Sequence, residues 1–207
     1  MVELSILIPT VSARESLLSR LLWTLQPQLR SSVEVLIHTS NSKPMGVKFD
    51  ELYGVANGRL GVIVDDDDLV MPHYVDTVLR YSRDADYIGY HILYTVSGKF
   101  SAVFTSDPLR AQQEPCNTML RHVGHKCPVE VVRAQKCSFG TGYSGDRAWA
   151  SQLIATEYPL NPVVIDDILY HHDYWPAHTI GETTRGMPQQ RSVGMWPYDE
   201  QQFTWVE

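Results

Sequence analysis

The amino-acid sequence predicts an α/β fold: a mostly parallel sheet flanked by helices, followed by a smaller antiparallel half. Short apolar segments alternate with segments of helical periodicity from residue 4 to residue 81. That order is typical of a parallel sheet. Two strand-like segments then follow each other without a helix between them, which favours antiparallel pairing in the second half.

Each predicted element has a local signal. Apolar runs mark the strands, apolar side chains at helical spacing mark the helices, and Pro9, Gly58 and Pro72 mark boundaries. In chain order these are a strand at 4–8 that closes at proline, a helix at 16–23, a strand at 33–37, a helix at 49–55 that ends before Asn-Gly, a strand at 60–64, a helix at 72–81, and strands at 87–95 and 100–104 rich in aromatic and β-branched residues.

Length and composition favour one compact domain. With 207 residues, of which 43% are hydrophobic, the chain can bury a full core. No apolar stretch is long enough to cross a membrane, and no basic region followed by an apolar one marks a signal peptide. The three cysteines, Cys116, Cys127 and Cys137, form no CxxC motif, which is typical of a reducing compartment. We therefore expect a cytoplasmic protein with no membrane partner.

The net charge of −7 argues against a surface that binds nucleic acid along its whole extent. The charge is uneven, however. Residues 61–107 contain eight acids and three bases, whereas residues 110–147 contain six bases and three acids. The second segment therefore favours an anionic acceptor.

Four consecutive aspartates, Asp65 to Asp68, follow the apolar strand at 60–64. Carboxylates this close repel one another, and a divalent cation that prefers oxygen ligands relieves the repulsion. Mg²⁺ and Mn²⁺ are commonly held by one or two carboxylates together with substrate phosphates. The run therefore predicts a metal site for a nucleoside diphosphate. The alternative is a solvated acidic turn.

These segments resemble the nucleotide-binding half of family 2 glycosyltransferases of the GT-A fold, a Rossmann-like architecture. The resemblance covers roughly residues 4–172 and is strongest up to Pro72. Small soluble members of that family include bacteriophage enzymes, and a chain of that type would act in the host cytoplasm. The residues that carry the resemblance are LSILIPT at 4–10, VEVLI at 33–37, ANGR at 56–59 and VIVDDDD at 62–68.

The resemblance implies roles for the acidic run and for the loop after the first strand. Pro9 and Thr10 would contact the nucleobase, and Asp67 would bind the metal. Asp65 and Asp66 would contact the ribose or waters on the metal, since the run offers two registers for a DxD motif. Asp68 is expected to begin the following helix and to accept hydrogen bonds from its first turn.

Three further donor-binding residues follow from the resemblance. Thr39 and Asn41 come after the second strand, where relatives place a polar residue against the nucleobase. Lys48 would reach a phosphate, although Asp50 stands where many relatives have asparagine. The alternative for Lys48 is an ordinary exposed helix residue.

The candidate catalytic base is Asp146. The segment 143–150, YSGDRAWA, resembles the Gly-(Glu/Asp)-Asp motif of the family, with Gly145 where relatives often have glutamate. Inverting transfer needs one carboxylate to take the proton of the acceptor hydroxyl, and the metal stabilises the departing diphosphate. The alternative is that Asp146 only caps the helix that runs through Ile154.

The acceptor side is expected to include His125, Arg133 and Trp149, because the segment before the base helix resembles the acceptor strand of small family members. Cys116, His122, His125 and Cys127 have the chemistry of zinc ligands, but their spacing fits no standard zinc motif.

Two adjacent histidines, His171 and His172, follow a predicted turn at residues 166–167. Many GT-A enzymes complete the metal shell with a histidine after the base helix. Since adjacent strand residues face opposite ways, only one of the two can point into the cleft, and we favour His172. The alternative is a surface or core pair.

The sequence therefore predicts residues 1–173 as a GT-A-like domain and 174–207 as an irregular tail or lid. Residues 1–107 would bind the nucleotide sugar, and 108–173 would form the acceptor and catalytic half. In the tail, three tryptophans offer faces for a sugar or a second subunit, and two arginines offer contacts to a diphosphate. These tail residues are Trp175, Trp196, Trp205, Arg185 and Arg191.

The predicted function is Mn²⁺- or Mg²⁺-dependent, inverting transfer of a sugar from a nucleotide diphosphate, most simply UDP, to an acceptor hydroxyl. The acceptor would be a saccharide or a hydroxymethylated base in DNA. Two alternatives stay open: a non-catalytic module that binds nucleotide sugars or glycans, and a sugar nucleotidyltransferase. The oligomeric state is open as well.

Overall fold

The structure is a computed structural model that describes residues 1–113, 120–121, 123–142, 145–155, 160–174 and 197–206. Ten strands and six α-helices lie in this part of the chain. The strands are β1 (Leu4–Pro9), β2 (Val33–His38), β3 (Leu60–Ile63), β4 (Leu69–Val70), β5 (Tyr87–Val96), β6 (Lys99–Ser106), β7 (Leu120–Arg121), β8 (Val129–Glu130), β9 (Pro162–Tyr174) and β10 (Thr204–Val206). The helices are α1 (Glu15–Leu25), α2 (Met45–Val55), α3 (Tyr74–Tyr81), α4 (Pro108–Gln113), α5 (Val131–Ala134) and α6 (Gly145–Ile154).

The first half is the predicted parallel sheet. Its strands lie in the order β10, β2, β1, β3, and β1 pairs in parallel with β2 on one side and β3 on the other. Every residue of β1 is buried, because helices cover both faces of such a sheet and its strands are apolar throughout. The carboxyl ends of β1, β2 and β3 therefore meet at one edge.

The flanking helices bury their apolar faces on this sheet. Leu18, Leu21 and Leu22 of α1 lie in the core, as do Leu52 and Tyr53 of α2. The spacing of these side chains matches the helical period that the sequence predicts. Among the described residues, no helix combines the length and the apolar character that crossing a membrane would need.

The second half is mixed: its longest ladder, between β5 and β9, is parallel, and its other main ladder, between β5 and β6, is antiparallel. Strands β5 and β6 form a hairpin whose turn uses positive φ angles at Ser97 (52°) and Gly98 (74°), the backbone geometry that hairpin turns favour. Strand β8 is antiparallel to β3 and to β5 and so joins the two halves. The long strand β9 runs parallel to β5 and antiparallel to β4.

Two local predictions are wrong. Asp68 does not begin a helix: β4 follows it, with Leu69 opposite His171 of β9, and α3 begins only at Tyr74. The pairing of β4 with β9 therefore determines the structure after Asp68, although aspartate locally favours the start of a helix. Residues 166–167 are not a turn between strands but a bulge within β9, because the register moves from Ile165 to Ile168 between neighbouring partners on β5.

The carboxyl-terminal segment is more regular than the sequence predicts. Residues 204–206 form β10, which pairs in parallel with the outer side of β2. Phe203 anchors this strand, since its side chain is buried in the core cluster and its ring packs edge-on against Tyr198. Trp205, in the same strand, is 42% exposed.

Candidate functional site

The four aspartates form a tight turn directly after β3. The backbone N–H of Val64 donates to Leu7 of β1, and the N–H of Asp68 closes the turn on the carbonyl of Asp65 at 3.0 Å. The aspartates thus lie at the carboxyl edge of the parallel half, beside the loop that follows β1. Open parallel sheets bind ligands at this edge.

Burial alternates along the run. The side chains of Asp66 and Asp68 are 2% and 0% exposed, whereas those of Asp65 and Asp67 are 25% and 21% exposed. Only the first and third carboxylates therefore reach solvent. This alternation matches a DxD register of Asp65 and Asp67.

Asp68 is the most fully bonded of the four. It accepts hydrogen bonds from Lys126 Nζ, from Tyr170 Oη at 2.7 Å, from His172 Nδ1 at 2.9 Å and from the backbone N–H of Asp173 at 3.1 Å. Burial alone would raise the pKa of Asp68, but Lys126 and His172 hold it well below its usual range. Asp68 is thus a buried anion whose partners all belong to the protein.

Lys126 also pairs with Asp65, so one ammonium bridges the first and fourth carboxylates. Burial opposes the charge of Lys126, but these two carboxylates raise its pKa above the ordinary value. The backbone N–H of Asp65 donates to Tyr170 Oη at 3.3 Å, which ties the turn to β9.

Arg14 forms ion pairs with both middle aspartates, Asp66 and Asp67. Its Nη2 lies 2.8 Å from Asp66 Oδ1 and 2.6 Å from Asp67 Oδ2. Thr10 Oγ1 donates to the other oxygen of Asp66 at 2.5 Å. Burial, with Asp67 nearby, nevertheless raises the pKa of Asp66 to about 7. Burial also raises the pKa of Asp67, against the opposing effect of Arg14.

Arg20 of α1 completes the surroundings of Asp67. Its Nη2 donates to the backbone carbonyl of Asp67 at 2.6 Å, and its Nη1 lies 3.8 Å from Asp173 Oδ2. Within the described residues, Oδ1 of Asp65 and Oδ1 of Asp67 have no hydrogen-bond donor. These two oxygens are therefore available for further contacts.

The repulsion within the run is thus relieved largely by side-chain cations of the protein. Five carboxylates, counting Asp173, lie among four cations: Arg14, Arg20, Lys48 and Lys126. In the part of the chain that the structure describes, no group of three or more His, Cys, Asp or Glu side chains is arranged to hold a metal. Repulsion alone therefore does not require Mg²⁺ or Mn²⁺, and the metal stays a prediction.

The structure brings most of the predicted donor residues to this edge. Pro9 ends β1, and Thr10 contacts Asp66. Lys48 is not an exposed helix residue: it is 1% exposed, and its Nζ donates to the carbonyl of Thr10 at 2.7 Å. Burial lowers the pKa of Lys48.

Asn41 joins the β2 loop to the β1 loop. Its Oδ1 accepts from the backbone N–H of Ser12 at 2.9 Å, and its Nδ2 donates to Ser12 Oγ at 2.8 Å. Thr39, which follows β2 directly, is half-buried at the same edge.

The two histidines differ as expected for neighbours on a strand. His172 stacks on Tyr94, with ring centroids 5.2 Å apart, and uses Nδ1 to bond Asp68. His171 bonds Thr95 Oγ1 at 2.8 Å instead, and burial lowers its pKa. Of the two, only His172 contacts the aspartate run.

The acceptor-side candidates are dispersed. The ring of His125 stacks on Phe49 at 5.7 Å, and its carbonyl accepts from Ile63 of β3, so it lies close to the run. Trp149 is 0% exposed and stacks on Phe139 at 4.8 Å, inside an aromatic cluster. The structure therefore does not present Trp149 to solvent.

Arg133 lies near the amino-terminal end of β3, away from the aspartates that follow its carboxyl end. It follows β8, whose Glu130 is opposite Leu60, the first residue of β3, and it pairs with Asp86 at 2.9 Å and Glu130 at 3.0 Å. Asp146 lies in the first turn of α6 with its side chain exposed. Among the described residues, no hydrogen bond joins Asp146 to the aspartate run.

Several predicted residues fall outside the described part of the chain. Cys127 and Cys137 are described, and both are buried free thiols. The candidates outside the described residues are Cys116, His122, Trp175, Arg185, Arg191 and Trp196.

Four residues of the site are not predicted from the sequence: Arg14, Arg20, Lys126 and Tyr170. A basic residue in the loop after the first strand could have been flagged, because that loop lies at the ligand-binding edge. Lys126 and Tyr170 give no such signal, since they are 58 and 102 residues from Asp68 in sequence.

No family model matches the chain, and no curated protein sequence matches it. Solved structures of TarS from S. aureus do match. One aligns with a TM-score of 0.64 and 13% identity, over 83% of this chain and 37% of that chain. Residues 1–349 of TarS in complex with UDP align with a TM-score of 0.59 and 12% identity, over 84% of this chain and 61% of that chain.

A third structure, TarS 1–349 in complex with UDP-GlcNAc, has a TM-score of 0.60 and 12% identity, over 83% of this chain and 58% of that chain. The chain thus spans less than two thirds of each of these TarS chains. At such low identity the likeness concerns the fold. It confirms the predicted α/β architecture as GT-A-like.

Proposed function

We propose that the chain is a glycosyltransferase that moves a sugar from a UDP-sugar to an acceptor hydroxyl with inversion. One observation carries the proposal. The carboxylates of Asp65 and Asp67 reach solvent at the carboxyl edge of a GT-A-like parallel sheet, next to the loop after β1. This edge is where open α/β sheets bind nucleotides.

The structural likeness supports the donor class. TarS is a glycosyltransferase, and its matched structures include complexes with UDP and with UDP-GlcNAc. In this chain the nucleobase would lie between the loops after β1 and β2, which Ser12 and Asn41 hold together. The diphosphate would then lie over the aspartate run.

A divalent cation bound jointly with phosphates would take its protein ligands from Asp67 and His172. Asp67 offers Oδ1, and His172 offers Nε2 while its Nδ1 bonds Asp68. A carboxylate on the other ring nitrogen is the usual support of a metal-binding histidine. Mn²⁺ or Mg²⁺ held there would neutralise charge on the departing diphosphate.

Asp146 is the proposed base. Its carboxylate is exposed in the first turn of α6, where it is free to accept the proton of an acceptor hydroxyl. One carboxylate suffices for a single inverting displacement, since the leaving diphosphate needs no proton when its charge is neutralised. A saccharide and a hydroxymethylated DNA base are the acceptor classes proposed.

Calorimetric titration of UDP, GDP and dTDP into metal-stripped protein, with and without Mn²⁺, tests the donor site. We expect metal-dependent binding of UDP and its loss in Asp67→Ala. Asp166→Ala is the matched control, because it removes an exposed carboxylate from the bulge in β9. If none of the three nucleotides binds under either condition, the proposal is wrong.

The dependence of transfer on salt concentration tests the acceptor class. Transfer to modified DNA should weaken steeply as the salt concentration rises, because binding to a phosphate backbone releases counterions. Transfer to a neutral saccharide should respond little.

A further inference from the structure

Two arginines contact Asp67 at different groups. Arg14 ends a short 3-10 turn, Ser12–Arg14, directly after β1, and its side chain is 12% exposed. Arg20 lies six residues further along the chain, in α1, and its side chain is 21% exposed. Arg14 lies at the carboxylate of Asp67 and Arg20 at its backbone carbonyl.

Both guanidinium groups keep buried donors without acceptors. Nε of Arg14 and Nε of Arg20 are inaccessible to solvent, and neither has a hydrogen-bond partner among the described residues. A buried N–H without an acceptor has lost its bond to water and gained none in return, so native proteins rarely leave one unsatisfied without a reason. Here two such donors belong to neighbouring cations.

The other two cations of the site already bond other groups of the protein. Lys126 Nζ contacts Asp65, Asp68 and Tyr170, and Lys48 Nζ donates to the carbonyl of Thr10. Each is held by contacts that fix the protein backbone or a buried carboxylate. Among the described residues of the site, the buried nitrogens without a hydrogen-bond partner all belong to the two arginines.

The shape and charge of these donors select the ligand. The planar guanidinium presents a fork of N–H groups that matches phosphate oxygens, and it stays charged at all relevant pH values. Since carboxylates outnumber cations in the site, the anion must bring a countercharge. A diphosphate that arrives with a divalent cation meets both conditions.

We infer that Arg14 and Arg20 bind the diphosphate of the nucleotide donor, a subsite that rests on the function proposed above. Arg14 exchanges its contacts with Asp66 and Asp67 for phosphate oxygens, which leaves the carboxylate of Asp67 to the cation. Arg20 keeps its bond to the Asp67 carbonyl and turns Nε to the same phosphates. Both are binding residues, and neither takes part in proton transfer.

Arginine-to-lysine variants test the inference, because lysine keeps the charge and loses the fork. The affinities of Arg14→Lys and Arg20→Lys for UDP, for uridine and for inorganic pyrophosphate are measured by calorimetry with Mn²⁺. We expect UDP and pyrophosphate to bind about tenfold or more weakly in each variant, the loss of a charge-assisted bond, while uridine affinity stays within about twofold. Arg30→Lys, at an exposed pair with Asp76, is the matched control and should equal wild type.

A second measurement does not depend on the variants. In ¹⁵N NMR of the wild-type protein, with arginine Nε–H resonances assigned through the backbone, pyrophosphate with Mg²⁺ should shift the Nε–H signals of Arg14 and Arg20 and leave Arg30 unchanged. If UDP binds but these signals do not move, or both lysine variants bind UDP like wild type, the inference is wrong and the proposed function stands. If neither UDP nor pyrophosphate binds, both are wrong.

Discussion

Lys126 joins Asp68 to Asp65 across a sequence distance of about sixty residues, from the segment before β8 to the turn after β3. The ammonium is buried, and the Asp68 side chain is 0% exposed. Tyr170 Oη accepts a hydrogen bond from Lys126 and donates one to Asp68. This pairing fixes the first and fourth carboxylates to the second half of the molecule. The turn can then present Asp65 Oδ1 and Asp67 Oδ1 in a set geometry.

Replacing Lys126 with methionine should lower the free energy of unfolding by about 3–5 kcal/mol, because removing one partner leaves buried Asp68 without its cation. Urea denaturation of the metal-free protein measures the change. The double variant Lys126→Met/Asp68→Asn should lose much less than the sum of the two single variants, since the pair is removed as a unit. Simple additivity would show that the two residues do not interact.

The stability contribution of Asp68 should depend on pH with a defined sign. Its pKa is lowered in the folded state, so the stabilisation is fully present above the unfolded pKa of about 3.9 and is lost as pH falls through the folded pKa. The difference in unfolding free energy between wild type and Asp68→Asn should therefore shrink between about pH 5 and about pH 2. Urea denaturation at several pH values measures it.

The same replacement at Asp166, which is fully exposed, serves as the control. A difference between wild type and Asp68→Asn that stays constant over this range would contradict the assignment of Asp68 as a buried, charged group.

The sequence predicts what local periodicity determines. The strand at 60–64 and the aspartates after it follow from a run of apolar residues and a charge cluster, and the structure has both. The role of Asp68 does not follow, because its side-chain partners, Lys126, Tyr170 and His172, lie 58 to 104 residues away. A local rule for helix starts then gives the wrong element.

The charge balance of the site is the second property that the sequence does not predict. The sequence shows four carboxylates side by side, and their repulsion predicts a metal. It does not show that Arg14 pairs with Asp66 and Asp67 and that Lys126 pairs with Asp65 and Asp68, because such contacts depend on how segments distant in sequence pack. For the same reason the sequence does not show that Arg133 lies near the amino-terminal end of β3, away from the aspartates.

Replacing Asp146 with asparagine should reduce sugar transfer by about 10²-fold or more, the usual contribution of a positioned general base. Binding of UDP should persist, since Asp146 contacts none of the aspartates. Release of UDP from UDP-sugars in the presence of saccharide acceptors measures transfer, and calorimetry measures binding. Arg147→Gln, the next exposed side chain on α6, is the control and should keep full activity.

Two other results would each exclude the base assignment. Unchanged transfer would mean that another group is the base. Loss of UDP binding together with transfer would give Asp146 a structural role at the start of α6.

Replacing Trp149 should affect stability rather than acceptor binding. Its indole is 0% exposed and stacks between Phe139, 4.8 Å away, and Tyr53, 6.2 Å away. Trp149→Ala should therefore lower the free energy of unfolding by about 3–5 kcal/mol, and Trp149→Phe by less, because phenylalanine refills part of the cavity. Urea denaturation measures both variants.

Acceptor kinetics then separate the two possible roles of Trp149. If the indole only supports the core beneath α6, Trp149→Phe should leave the KM for the acceptor unchanged, since a buried ring cannot touch a substrate. The sequence-based assignment of Trp149 to the acceptor site predicts the reverse, a raised KM with little change in stability. That second result would also mean that α6 moves away from Phe139 when the acceptor binds, because only then would the indole become accessible.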